Sequence, residues 1–111
     1  MQLFTYGAKL IRVVDGDTIH LDLDLGFYQW RRDQSYRLLR INAPEMSTIE
    51  GQTAKVALEG FLMGKSLVAH TEKSDHFGRF LADITATDAA GVETNVNDYM
   101  VTNGFAVYKT Y

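Results

Sequence analysis

The chain has 111 residues, 46% hydrophobic and 23% charged, with a net charge of −3 from 11 Lys+Arg against 14 Asp+Glu. That length suits one domain around one core, spanning residues 1–111, and the apolar fraction is too high for a disordered chain. Having no cysteine excludes disulfide frameworks, thiolate zinc sites and cysteine nucleophiles, and the acidic balance excludes coating of duplexes by bulk positive charge.

Residues 9–14, KLIRVV, are apolar and β-branched, which predicts a strand, and Asp15-Gly16-Asp17 marks a turn after it. From Thr18 to Leu25 the alternation is strict. Thr18, His20, Asp22 and Asp24 share one parity and Ile19, Leu21, Leu23 and Leu25 the other, as in a half-buried antiparallel strand. Gly26 opens a connection, FYQWRRDQ, and a third strand is predicted over 35–41, with Pro44 closing that region. Ala54, Ala57, Leu58, Phe61 and Leu62 recur at helical spacing, with Gly64 as the C-terminal stop. Strands over 66–71 and 79–87 follow, then a turn at Ala89-Ala90-Gly91. Val96, Tyr99 and Met100 mark a short helix with Asn95 as N-cap and Gly104 as stop, before an extended aromatic tail over 105–111. The order β-β-β-α-β-β-α predicts an α+β fold: a five-stranded Greek-key barrel of the oligonucleotide/oligosaccharide-binding (OB) type.

No apolar run approaches the roughly 20 residues that span a bilayer, and MQLFTYGAKL lacks the pattern of a secretory leader. A cytoplasmic monomer with no membrane partner is the expectation.

Polar residues interrupt the apolar pattern in three places. Asp17 shares parity with Ile19 and Leu21, so it either finishes the turn or is an inward carboxylate that needs a cation, an arginine or the open end of the barrel. Arg37 shares parity with Leu39 and Ile41, so its guanidinium is held by anions, by a structural carboxylate such as Asp17, or at a mouth of the barrel. Arg79 follows Asp75-His76-Phe77-Gly78 at the start of a strand, and Glu45 follows Pro44 in a loop; each alone reads as an exposed residue. Together they suit phosphodiester cleavage. A glutamate takes the proton of the attacking water, arginine forks bind phosphate oxygens, and a hard divalent cation on oxygen ligands polarises the phosphate.

Three segments, Asp15-Gly16-Asp17-Thr18, Tyr36-Arg37-Leu38-Leu39-Arg40-Ile41-Asn42-Ala43-Pro44-Glu45 and Asp75-His76-Phe77-Gly78-Arg79, resemble the staphylococcal nuclease-like (thermonuclease) family in order and spacing. Val96-Asn97-Asp98-Tyr99-Met100 and Asn103-Gly104-Phe105-Ala106 resemble that family's second helix and its exit. Members hydrolyse DNA and RNA with little sequence preference and depend on calcium. The resemblance implies Arg37 and Arg79 as phosphate-binding catalytic arginines and Glu45 as general base or water-positioning carboxylate. It also implies Asp17, Asn42 and the main-chain carbonyl of Ala43 as calcium ligands.

The chain departs from the family in places. Asn42 replaces a second aspartate, which removes a negative charge and predicts weaker calcium binding. Ala43 replaces a threonine that contributes through its backbone, and His76-Phe77 replaces a lysine-tyrosine pair at the nucleotide end. Tyr108 and Tyr111 either supply stacking surfaces or pack the chain end.

Aromatics interleave with arginines in Phe27-Tyr28-Gln29-Trp30-Arg31-Arg32, a pattern that suits base stacking and phosphate contact as well as hairpin packing. Phe27 is expected to pack on the barrel, and Trp30, Arg31 and Arg32 to contact substrate, with His76, Phe77 and Tyr108. The histidines show no metal-ligand spacing. The expected function is calcium-dependent hydrolysis of DNA or RNA, single strands favoured. The alternative is a weak or inactive OB module that binds single-stranded nucleic acid or a protein.

Overall fold

The first strand, β1 (Thr5–Asp15), serves two neighbours. It pairs antiparallel with β2 (Thr18–Gly26) over 7–15 and with β5 (Ser66–Glu72) over 5–8. A register shift between Leu10 and Arg12 interrupts the β1–β2 ladder, the kind of irregularity that bends a strand round a curved surface. Beyond β2 lies β3 (Gln29–Leu38), and beyond β5 lies β6 (Phe80–Thr87). A parallel pairing of Tyr36, Arg37 and Leu38 with Phe80, Leu81 and Ala82 closes the ring. The computed structural model, which describes residues 4–72 and 80–109, thus has the expected closed barrel of five strands with two helices. Short strands add to it: β4 (Ile41–Asn42) pairs with β8 (Val107–Tyr108), and β7 (Glu93–Asn95) extends the sheet at β6.

Helix α1 (Ile49–Leu62) starts where Thr48 accepts the Gly51 N–H at 3.0 Å, and buries Ala54, Leu58 and Leu62. Its stripe is the one the spacing predicted, and Gly64 beyond its end sits at φ 75°, where glycine escapes the Cβ penalty. Helix α2 (Val96–Thr102) is capped by Asn95, whose side chain accepts the Asp98 N–H at 2.9 Å. Phe61 of α1 stacks on Tyr99 of α2 at 3.8 Å between centroids, which joins the two helices.

Three expectations need correction. The segment read as a connection, FYQWRRDQ, supplies the start of β3, so β2 and β3 form one long hairpin turning at Phe27-Tyr28. Phe27 does not pack on the barrel: it is 96% exposed. The strand expected over 35–41 ends at Leu38, turns at Leu39-Arg40 and resumes as β4. That break reverses the parity argument. Tyr36 and Leu38 form the core row of β3, and Arg37 lies on the other face, opposite Thr18.

The turn is held by two polar devices. Arg40 adopts φ 68°, and its guanidinium bonds Asp98 at 3.0 Å and Asp83 at 3.2 Å. Asn97 is fully buried; it accepts from the Ile84 N–H at 3.1 Å and donates to the carbonyls of Leu39 at 2.8 Å and Ala82 at 3.1 Å. A buried amide satisfied on three sides fixes α2, β6 and the exit of β3 in one arrangement.

Candidate active site

The exit of β3, the turn between β1 and β2, and β4 meet at one place. Arg37 donates through Nη1 to Asp17 Oδ2 at 2.9 Å and through Nη2 to Asn42 Oδ1 at 2.9 Å. Both charged groups are nearly covered, with relative side-chain exposures of 11% for Arg37 and 6% for Asp17. Asp17 thus stands against an arginine, one of the partners read for it from the sequence. Asp17 Oδ2 also accepts the Ala43 N–H at 2.9 Å, and its Oδ1 the Thr18 hydroxyl at 3.2 Å. Gly16 lets this turn approach: an added Cβ would stand 2.7 Å from the Ala43 Cβ and 2.8 Å from the Ala54 Cβ.

Asp15 is a member of the cluster that sequence reading took only for a turn residue. Its Oδ1 accepts the Asp17 N–H at 3.0 Å. Burial and the neighbouring Asp17 carboxyl push its pKa up to about 6. Burial alone would raise Asp17 as well, but bonds from the Asp15 carboxyl and the Ala43 N–H, with the Arg37 charge, outweigh it and hold Asp17 below the usual carboxylate range. Two carboxyls two residues apart across a glycine were the available signal.

Among the described residues no three of His, Cys, Asp and Glu cluster as a metal site. The donors present are the Asp17 carboxylate, the Asn42 carboxamide and backbone carbonyls, all hard oxygens, which fit calcium in kind. Asp17 has about four lone-pair directions. Arg37, the Ala43 N–H, the Thr18 hydroxyl and the Asp15 carboxyl stand around them.

Glu45 lies in the loop between β4 and α1, and is exposed. Its carbonyl accepts the Thr48 N–H at 3.0 Å and the Thr48 hydroxyl at 2.6 Å, so the helix start pins the backbone that carries it. Arg79, His76 and Phe77 lie outside the described residues. Trp30, Arg31 and Arg32 stand far along β3 from Arg37. Arg32 pairs with Asp22 at 2.9 Å and lies over the Trp30 ring; Arg31 lies over Phe80. Tyr108 pairs across from Ile41 on β8 and donates its hydroxyl to Asp98 at 3.1 Å.

Barrel and cluster together define a class: a small OB-type barrel holding a guanidinium among hard oxygen donors where β3 leaves the sheet. A family model described as staphylococcal nuclease homologue matches residues 35–111, and the chain belongs to that family. An uncharacterized endonuclease of Escherichia coli O157:H7 is 32% identical over 105 residues, which cover 94% of this chain and 62% of the relative. A protein of the same name from Escherichia coli matches to the same extent. Protein ParB of Escherichia coli is 28% identical over 103 residues, 89% of this chain and 55% of that protein. The chain spans about three fifths of the length of these relatives.

Proposed function

We propose that this chain is a calcium-dependent nuclease that hydrolyses phosphodiester bonds of DNA or RNA with little sequence preference. The observation that carries the reading is the convergence of Arg37, Asp17, Asn42 and Ala43 within hydrogen-bond distance, in a member of this family. In this reading Arg37 and Arg79 bind the phosphate oxygens and stabilise the charge that builds in the transition state. Glu45, exposed and mounted on a pinned backbone, accepts the proton of the attacking water or orients it. Asp17, Asn42 and the Ala43 carbonyl would hold calcium, which polarises the phosphate when bound. Trp30, Arg31, Arg32, His76, Phe77 and Tyr108 are the proposed contacts to the rest of the strand.

A second reading, a module that binds nucleic acid or a protein with weak or no cleavage, is favoured by one feature. Arg37 already occupies both Asp17 and Asn42, and Asn42 brings no charge of its own to a cation. Labelled single-stranded DNA and RNA separate the two. Cleavage should appear in millimolar calcium, stop in excess chelator and resume when calcium is restored. Substrate that stays intact but bound, under all three conditions, would establish the second reading.

A further inference from the structure

The tip of the β2–β3 hairpin has no structural explanation in the barrel. Gly26 pairs with Gln29, so Phe27 and Tyr28 are the central residues of a two-residue turn, at φ 53° and 61°. Left-handed backbone at both positions is the natural place for Asn-Gly or Asp-Gly, and bulky aromatics are disfavoured there. Neither ring is compensated by packing, since Phe27 is 96% and Tyr28 101% exposed. Two large rings are thus held in water, on a backbone that suits other residues.

The register relates this tip to Arg37. Thr18 pairs with Arg37, His20 with Ser35 and Asp24 with Trp30, so Trp30 lies on the face of the ribbon that carries Arg37. On that face Arg32 stacks over the Trp30 ring, 4.6 Å from its centroid. Nine residues of strand at about 3.3 Å each put the tip roughly 30 Å from Arg37. Asp22, Asp24 and Asp33 border the same stretch, each engaged within the ribbon. Their charge disfavours gripping phosphates here. What the surface offers is aromatic faces, and an unpaired base has the complementary face, whereas a duplex keeps its bases stacked inside.

We propose that Phe27 and Tyr28, with the Trp30–Arg32 stack behind them, form a base-stacking platform that holds single-stranded nucleic acid about 30 Å from Arg37. The inference rests on the nuclease reading and extends it: the favoured substrate is a single strand long enough to reach both places. Stacking tolerates any base, which accords with cleavage of little sequence preference.

Binding is read from the fluorescence anisotropy of a label on each ligand, which responds wherever on the protein the ligand is held. The full chain, in chelator so that nothing is cut, is titrated with three ligands: a single strand of about twenty nucleotides, the matching duplex and a trinucleotide. The variant Phe27→Asn/Tyr28→Gly places turn-forming residues at the tip. It should melt at a higher temperature than the wild type while binding the long single strand at least about tenfold more weakly. Its affinity for the trinucleotide and the salt dependence of binding should not change, because no phosphate contact is removed. Phe27→Leu/Tyr28→Leu, which keeps the apolar surface but not the aromatic faces, should show the same loss. Unchanged affinity for the long strand would overturn the proposal, as would an equal loss on duplex or trinucleotide. A wild-type dimer that the variant dissolves, or vesicle binding without oligonucleotide binding, would overturn it in favour of a second copy or a lipid surface. Cleavage is not the readout, so failure of the nuclease reading would appear separately, as uncut substrate in calcium.

Discussion

Arg37→Lys is expected to lower kcat on single-stranded DNA by about 10²–10³-fold while the barrel stays folded. The guanidinium reaches Asp17 through one nitrogen and Asn42 through another, both at 2.9 Å. An ammonium retains the charge against Asp17 but not the planar fork, so it can neither bridge the two oxygens in one plane nor offer a phosphate paired donors. Arg37→Ala is a different experiment. It leaves the buried Asp17 carboxylate without its counter-charge, and removing one partner of such a pair costs about 3–5 kcal/mol, enough to unfold a marginal domain. The lysine variant therefore tests the chemistry and the alanine variant the packing. Rates at saturating calcium, read with circular dichroism melts of the same samples, separate them. A lysine variant with wild-type kcat would show that the fork has no part in the reaction.

Gly51→Ala is expected to destabilise the protein by about 3 kcal/mol or more and to slow whatever remains folded. A Cβ at this position would lie 1.9 Å from the Glu45 carbonyl oxygen and 2.8 Å from that of Pro44. Both are backbone atoms, so no side chain can swing aside. Either the first turn of α1 lifts or the Glu45 segment moves, and in both cases the bonds from Thr48 to the Glu45 carbonyl are lost. Misplacing a reacting group by about 1 Å can cost on the order of 10²-fold in rate. Gly60, on the same helix, is the control, because a Cβ there meets nothing within 4 Å. Gly60→Ala should gain up to about 1 kcal/mol from helix propensity, leaving activity unchanged. Urea denaturation of the pair reads both. Equal stabilities would refute the close approach of α1 to the Glu45 backbone.

The elements with a clean period were legible. The α1 stripe, the Asn95 cap and the stops at Gly64 and Gly104 follow from spacing and glycine placement, and the barrel order followed from them. Parity failed where the chain breaks its own alternation. In 35–41 the apolar residues fit a continuous strand, but Arg40 takes a left-handed turn that glycine or asparagine usually marks, and nothing local announces it. The same blindness hid the hairpin tip, which turns on two aromatics instead of Asn-Gly. Burial of Arg37 was expected for a mistaken reason: it is enclosed by Asp17 and the β4 segment, not by the core row of the barrel.

For the site, the broken apolar pattern picked out Asp17 and Arg37 and offered them as partners, whereas Asn42 and Ala43 entered only through the resemblance to a family, since they come from a separate element with no pattern of their own. Asp15 and Asn97 escaped because a turn aspartate and a helix-surface asparagine are the ordinary readings of those positions. The Leu39 carbonyl that Asn97 bonds is 58 residues away in sequence. Asp17 is only two residues from Asp15, and what the sequence does not announce there is the burial that makes the two carboxyls interact.

The most direct test of the nuclease assignment is cleavage of labelled single-stranded DNA by the wild type and by Glu45→Gln, side by side at millimolar calcium. Glutamine keeps the size of the side chain and removes its basicity at an exposed position, so the fold should be unaffected. The account predicts cutting by the wild type and a rate at least about 10²-fold lower in the variant, with coincident thermal melts. A folded wild type that leaves the strand intact, or a variant that cuts at the same rate, would contradict it.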